Sequence, residues 1–546
     1  MKNCIIPLIT VLLLVGSCSG EDTLRRAAAT ITADELRDYT STLGADSFMG
    51  RKPFTPGETI TIEYLSGELE KIGFRPAFGE SWFQEVPMVE ITTRVEGKVQ
   101  ITAGKERLEL TAPDDIAIES PSDKQIVVLD DIPMVFCGFG IVAPEYGWND
   151  YANIDVKGKC AVVLVNDPGL YTGDTTLFKG RQMTYYGRWT YKYDEAARQG
   201  ATAILIIHET VGAGYDYSIP RKSSVSPGLY MEQNEGDIPP CAVTGWFSAE
   251  AASRIFATRG LDVETLRRDA CRADYKGFEL GASISMKLTN SHISNSSVNV
   301  AGILPGSLHP EECVVVTAHW DHFGIGEAEN GDSIYNGAVD NGTSMAWAFE
   351  IGEAFASVKQ RPERSVILLF PTAEEQGLLG STWFAANPPV KPENIIACFN
   401  NDLLLPIGRM RDIMVTGYGQ SELDDMLAEV ATAQDRYILP DPNPETGMYF
   451  RSDHFPFARI GVPSLFARGN CDSREQGKEW AAEKEKEYIT LMYHKPADNY
   501  YPEMNFEGIE EDARAIFEVA WKIVNSDIRP EWKPGSEFAN IRPSNK

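Results

Sequence analysis

Seven histidines occur in the chain, His208, His292, His309, His319, His322, His454 and His494. One of them stands directly after an apolar run, in Thr317-Ala318-His319-Trp320-Asp321-His322. In an extended chain positions i and i+2 share a face, so His319 and Asp321 are expected together. That pairing suits a metal-ligand histidine whose tautomer and basicity are fixed by a carboxylate, although a purely structural pair at a strand end would read the same way. Residues 336–342, Asn336-Gly337-Ala338-Val339-Asp340-Asn341-Gly342, form a glycine-flanked acidic turn before a helix, where Asp and Asn are also favoured as caps. Glu374 and Glu375 follow the wholly apolar run 366–370, at the sheet end where open α/β folds bind ligands. Acids opening the next helix are the plain alternative there. Asn400-Asn401-Asp402 follows the run 395–399, and Tyr493-His494-Lys495-Pro496-Ala497-Asp498 lies further on. Each cluster alone is bland. Together they place His, Asp and Glu at three strand ends, in a turn and at a distal loop, a mixed N/O donor set that suits zinc.

The elements that must position these groups are legible from pattern. Thr32, three residues before Glu35, marks a helix start. A second helix is expected over about 58–72, ending at Gly73. From about residue 95 the texture changes to short alternating runs separated by Gly, Pro and Asp turns, as in β-structure. A helix over about 193–199 and a strand over 203–207 interrupt it. From about 297 to 523 strand and helix alternate. The runs 313–317, 365–370, 395–399 and 462–466 are apolar enough for strands covered on both faces. Helices are expected over 344–355, 378–386 and 422–433. The fold class is therefore α/β, a mixed, mostly parallel sheet flanked by helices, with a β-rich insertion. The opening helices lack a sheet of their own and are expected to pack on the later one.

With these motifs in this order, the sequence resembles the co-catalytic di-zinc peptidases typified by aminopeptidase Y and the bacterial leucyl aminopeptidases. These share a clan with glutamate carboxypeptidase and glutaminyl cyclase. The resemblance implies two zinc ions and a peptide substrate. It makes His319 and Asp402 ligands of one ion, Glu375 and His494 ligands of the other, and Asp340 the bridging carboxylate. It gives Asp321 the orientation of His319 and Glu374 the role of general base. Tyr493 matches a position that helps stabilise the oxyanion in some relatives, or else packs. His454, in Arg451-Ser452-Asp453-His454-Phe455-Pro456-Phe457, either touches substrate or packs. An aminopeptidase is the leading activity. A carboxypeptidase or dipeptidase of the same clan, a cyclase-like transferase and a receptor-like binding protein are the alternatives, the last weakened because every ligand position is filled.

The middle region resembles a protease-associated domain. It carries a glycine-bearing strand at 135–141, an Asp155-Val156-Lys157-Gly158-Lys159 turn into a core strand, and a helix ending Ala197-Arg198-Gln199-Gly200-Ala201. The aromatic and basic stretch 185–193 within it is read as the insert's core or as a lid offering Arg188 or Lys192 to substrate. Domain limits follow as 22–125 for the first part of the peptidase domain, 126–290 for the insert and 291–530 for the catalytic part. Residues 1–18 read as a signal peptide, its apolar run too short to span a membrane. Val15-Gly16-Ser17-Cys18 resembles a lipobox. Export is thus expected, to the cell envelope as a lipoprotein or else as a secreted protein, with membrane contact only through that anchor.

The net charge of −29 disfavours nucleic acid as a partner. Twenty-four Phe, 21 Tyr and 10 Trp among 546 residues supply ample core. Nine cysteines without a CxxC pair argue against a cysteine zinc site. Oligomeric state and residue preference stay open.

Overall fold

The computed structural model describes residues 21–233 and 236–542. The expected signal peptide and lipobox, with Cys4 and Cys18, lie outside the described residues. The chain forms two compact units. The first takes the described chain up to Val86, Ser297–Asp441 and the chain from Arg451 onward; the second takes Pro87–Ser296 and Pro442–Phe450.

In the first unit, α1 (Ala33–Leu43) is capped by Thr32, whose side chain accepts from the Glu35 N–H, as the sequence suggests. Helix α2 (Pro56–Lys71) and the short β1 (Arg75–Pro76) follow. The long strand β2 (Phe278–Leu304) enters this unit at its carboxyl end. Then come β3 (His309–Thr317), α3 (Ser344–Ala356), β4 (Arg364–Phe370), α4 (Leu379–Ala386), β5 (Ile395–Asn400), β6 (Asp412–Val415), α5 (Leu423–Ala433) and β7 (Tyr437–Pro440). Helix α6 (His454–Arg459), β8 (Ser464–Arg468), α7 (Gly477–Leu491) and α8 (Glu507–Val524) close the unit. Strand β3 lies between β4 and β5, parallel to both, and β5 is parallel to β8. Antiparallel neighbours sit at the margins, β2 on β4 and β6 on β8. Because β3, β4 and β5 run parallel and adjacent, their carboxyl ends bring three polar segments to one crevice.

The core explains the burial of those runs. Val314 and Val316 of β3, Val366 and Leu368 of β4 and Phe399 of β5 pack in one cluster with Leu36 and Leu43 of α1, Leu65 and Leu69 of α2, Phe349 of α3 and Phe517 of α8. The opening helices thus cover the later sheet, as expected.

The second unit begins at Pro87, earlier than the expected limit at 126, and also recruits residues 442–450. The reason is pairing: Val99–Ala103 joins Glu106–Leu110, and Ile116–Glu119 joins Val243–Phe247, deep inside this unit. Its centre is a parallel set, Cys160–Leu164 beside Ala203–Ile207 beside Val243–Phe247. Trp189–Arg198, Ala249–Ala257 and Val263–Ala270 are helical. The seven cysteines among the described residues are free. No helix among the described residues is long and apolar enough to cross a membrane.

Glu350 of α3 is a buried acid in the first unit. Its Oε2 accepts from the Thr32 N–H at 2.6 Å, and burial pushes its carboxyl up to about 8. A folded-state value above the unfolded one means that this group's stabilising contribution is complete at acid pH and is lost as pH rises through about 8. Glu350→Gln should therefore flatten the fall in Tm between pH 5 and pH 8.5. Thermal unfolding of both proteins at the two pH values checks this, with an expected gain of about 2 °C or more for the variant at the alkaline end.

Candidate metal centre

The crevice gathers the side chains at the ends of β3, β4 and β5. His319 Nε2 stands 3.4 Å from Asp340 Oδ1, 3.5 Å from Asp402 Oδ1 and 3.9 Å from Glu374 Oε2. On the other side of the same aspartate, His494 Nε2 lies 3.3 Å from Asp340 Oδ2 and 3.2 Å from Glu375 Oε2. Asp340 therefore turns one oxygen to each histidine. His319, Asp340 and Asp402 offer ligand atoms all within 4.8 Å of one another. The spacings lie at or beyond the long end of ordinary N–H···O bonds, which run from about 2.7 to 3.2 Å. They match the edge of a tetrahedron, about 3.3 Å for ligands about 2.05 Å from a zinc ion. The donor set, two imidazoles and three carboxylates, fits two zinc ions on either side of Asp340.

The turn carrying Asp340 is held by two residues to which the sequence reading gave no role. Arg51, wholly buried, donates through Nε to the Trp320 carbonyl at 2.9 Å. Its Nη1 reaches the Leu43 and Asn336 carbonyls and its Nη2 those of Gly337 and Asp340. Burial lowers its pKa to about 10, so it stays charged beneath Asp340, Asp498, Asp321 and Glu375. Asp498 accepts from the N–H groups of Val339 and Asp340, both at 3.0 Å, and from the Tyr488 hydroxyl. Gly337 is required here. Its φ is +58°, and a Cβ would lie 2.1 Å from the Asp340 carbonyl, 2.7 Å from the His322 ring and 2.8 Å from the Arg51 guanidinium. His494, Ala373 before Glu374, and Leu403 after Asp402 also have positive φ, backbone strain of the kind that gathers at functional sites.

Asp321 departs from its expected role. The chain leaves β3 at Thr317, so strict alternation ends before His319. It is the Asp321 backbone carbonyl that faces His319 Nδ1 at 3.1 Å, while the nearer carboxylate oxygen lies at 3.8 Å. The carboxylate instead accepts from the Glu374 N–H at 3.0 Å and the Glu375 N–H at 3.4 Å. It sets the glutamate pair and steadies His319 through its main chain.

The charges are strongly coupled. Burial alone would lower the His319 pKa, but Glu374, Asp402 and Asp340 hold it well above the ordinary range. The same contest leaves His494 at about 10, with Glu375 and Asp340 opposing burial. Burial pushes Glu375 upward, yet His494 and His322 hold it well below the usual carboxylate range. Asp402 is lowered despite burial by His319. Glu374 behaves oppositely: burial raises it well above its ordinary value, with His319 pulling against that and Asp402 and Glu375 adding to it. Asp453, wholly buried and raised by burial to about 6, is a further acid in the field of His319.

Other expectations come out differently. The Tyr493 ring stacks on His494 with centroids 3.7 Å apart, which fixes the imidazole plane. His454 is wholly buried, its ring against Phe466 and its Nδ1 3.4 Å from the Asn400 amide. Arg188 belongs to the second unit, with its guanidinium over the Trp189 ring at 5.3 Å. Lys192 is wholly buried there, its Nζ donating to the Asn166 carbonyl at 2.9 Å, which excludes it as a substrate contact. Tyr185, Tyr186 and Tyr191 pack on one another, the aromatic core of that unit. His208 is a satisfied core histidine, its Nε2 3.1 Å from the Tyr215 carbonyl.

Replacing Arg51 by Met leaves five buried carbonyls short of a donor, at about 1–3 kcal/mol for each group left unsatisfied. Arg51→Met should lower Tm by more than about 4 °C and strip bound zinc. Arg51→Lys should not rescue it, because one ammonium cannot reproduce the fork. Calorimetry and zinc analysis check both.

Residues 299–519 match the profile of Peptidase family M28. Carboxypeptidase Q of Xenopus laevis is 27% identical over 256 residues, 46% of this chain and 44% of that protein. Carboxypeptidase Q of Mus musculus is 30% identical over 195 residues, 35% and 33% of the two chains. The chain thus spans less than half the length of these relatives. Among solved structures, an aminopeptidase from Aneurinibacillus sp. strain AM-1 aligns over 96% of this chain and 98% of its own, at 15% identity and a TM-score of 0.46. His319, Asp340, Glu374, Glu375, Asp402 and His494 all lie inside the stretch 299–519 that is similar to Peptidase family M28.

Proposed function

We propose that the protein is a zinc-dependent exopeptidase, and specifically an aminopeptidase of the aminopeptidase Y and leucyl aminopeptidase kind. The observation that carries the metal reading is the tetrahedral-edge spacing on both sides of Asp340. His319 and Asp402 would hold one zinc ion, Glu375 and His494 the other, and Asp340 both. When bound, such ions lower the pKa of a water toward neutrality and polarise a scissile carbonyl.

The remaining work falls to the chain. Glu374, its carboxyl raised by burial, takes the proton of the attacking water and hands it to the leaving amine. Asp321 keeps the Glu374 N–H in place, and Tyr493 keeps the His494 ring in plane. Beyond the metal set, Glu374 and Asp453 leave the crevice acidic, and the N–H groups of Arg51 are directed to main-chain carbonyls. Such a field attracts a substrate α-ammonium rather than an α-carboxylate, which supports aminopeptidase polarity. Carboxypeptidase action is the second reading, favoured by the carboxypeptidase Q relatives. The second unit is proposed as a protease-associated domain, and the amino-terminal segment as an export signal with a lipid-anchored cysteine.

Glu374→Gln should keep two zinc ions and lose turnover by about 10³-fold or more; near-normal hydrolysis by the metal-loaded variant would refute the base. A panel of aminoacyl and N-blocked chromogenic peptides, run with chelator and with zinc restored, tests polarity. Cleavage of free-amino substrates only is expected, and activity confined to N-blocked peptides would reverse the assignment.

A further inference from the structure

His322 does not belong to the expected ligand set, yet it is built into the centre. Its ring is wholly buried. Its main-chain N–H donates to the Arg51 carbonyl, and Gly337 allows its edge to approach the Asp340 turn. Its Nδ1 lies 2.6 Å from Glu375 Oε1, while the other oxygen of that glutamate, Oε2, faces His494 Nε2 at 3.2 Å. An ionised carboxylate can only accept, so Nδ1 carries the hydrogen and Oε1 is its acceptor. Nδ1 is thereby unavailable as a metal ligand, although His322, Asp340 and Glu375 come close enough to suggest a three-ligand group.

We propose that His322 is a positioning residue that makes Glu375 a one-oxygen ligand, occupying Oε1 so that Oε2 alone is presented toward His494 and Asp340. The proposal rests on the two-zinc reading above and deepens it. It separates the two metal positions: the Glu375 side is supported by the His322 imidazole, while on the other side the support for Asp402 beyond His319 is the Ser452 side chain. Without His322, Glu375 can rotate, chelate through both oxygens or withdraw, and the ion on that side is held less tightly. Partners of this kind change metal affinity by about 10–100-fold.

The test is zinc binding to the full chain by competition with a chromophoric chelator, which reads two affinities independently of catalysis. Wild type is expected to bind two ions. His322→Ala should weaken one of the two sites by about 10–100-fold and leave the other within about threefold. His322→Asn, whose side-chain N–H falls near the place of Nδ1–H, should recover most of the loss, and His322→Leu should not. Should His322→Ala fail to fold, the comparison of His322→Asn with His322→Gln carries the test, since the longer amide misplaces its donor. Equal affinities in wild type and His322→Ala, or equal weakening of both sites, overturns the positioning role while leaving the two-zinc centre intact. Binding of fewer than two ions by wild type overturns the centre itself and this role with it.

Discussion

The structure of the crevice depends on one carboxylate being fixed between two imidazoles. Asp340 turns Oδ1 to His319 and Oδ2 to His494, and it can do so only because its turn is fastened from beneath. Arg51 gathers the carbonyls of that turn, and Asp498 gathers its N–H groups. A buried guanidinium directed to carbonyls rather than to a single acid serves two ends. It satisfies main-chain acceptors that would otherwise be orphaned, and it places a positive charge under a set of carboxylates that would repel one another.

The sheet supplies the rest. Parallel neighbours β4, β3 and β5 end on the same side, so Glu374 and Glu375, His319, and Asp402 arrive together without long loops. Adjacent glutamates then divide their tasks by environment. Glu375 meets two histidines, which hold it below the usual carboxylate range, whereas at Glu374 burial outweighs the pull of His319 and the carboxyl is raised, a better proton acceptor than an ordinary carboxylate. A difference imposed on two neighbouring residues by surroundings alone is a pattern that acid–base sites use.

Much of this was legible in the residues. Apolar runs that stop abruptly at His, Glu or Asp marked β3, β4 and β5 and their cargo, because a strand buried on both faces cannot carry such groups inside it. What escaped was what depends on distant approach. Arg51 lies in an irregular turn, and its acceptors are main-chain atoms up to 289 positions away, which no side-chain pattern records. His322 and Asp498 sat inside quoted motifs, but their partners are set by tertiary contact. Asp321 reaches His319 through its main chain because alternation ends with β3, and of the two readings of the stretch around Lys192 it is the core reading that its burial supports. The boundary at 126 failed for a related reason: the change in texture near residue 95 already marked strands that pair with segments more than a hundred residues away.

The central claim is that Asp340 lies between two metal ions. Diffraction from crystals of the zinc-loaded protein, recorded on both sides of the zinc absorption edge, tests it most directly. The account predicts two anomalous peaks, one within bonding distance of Asp340 Oδ1, His319 and Asp402, the other of Oδ2, Glu375 and His494. A single peak, or two peaks of which neither touches Asp340, would contradict it.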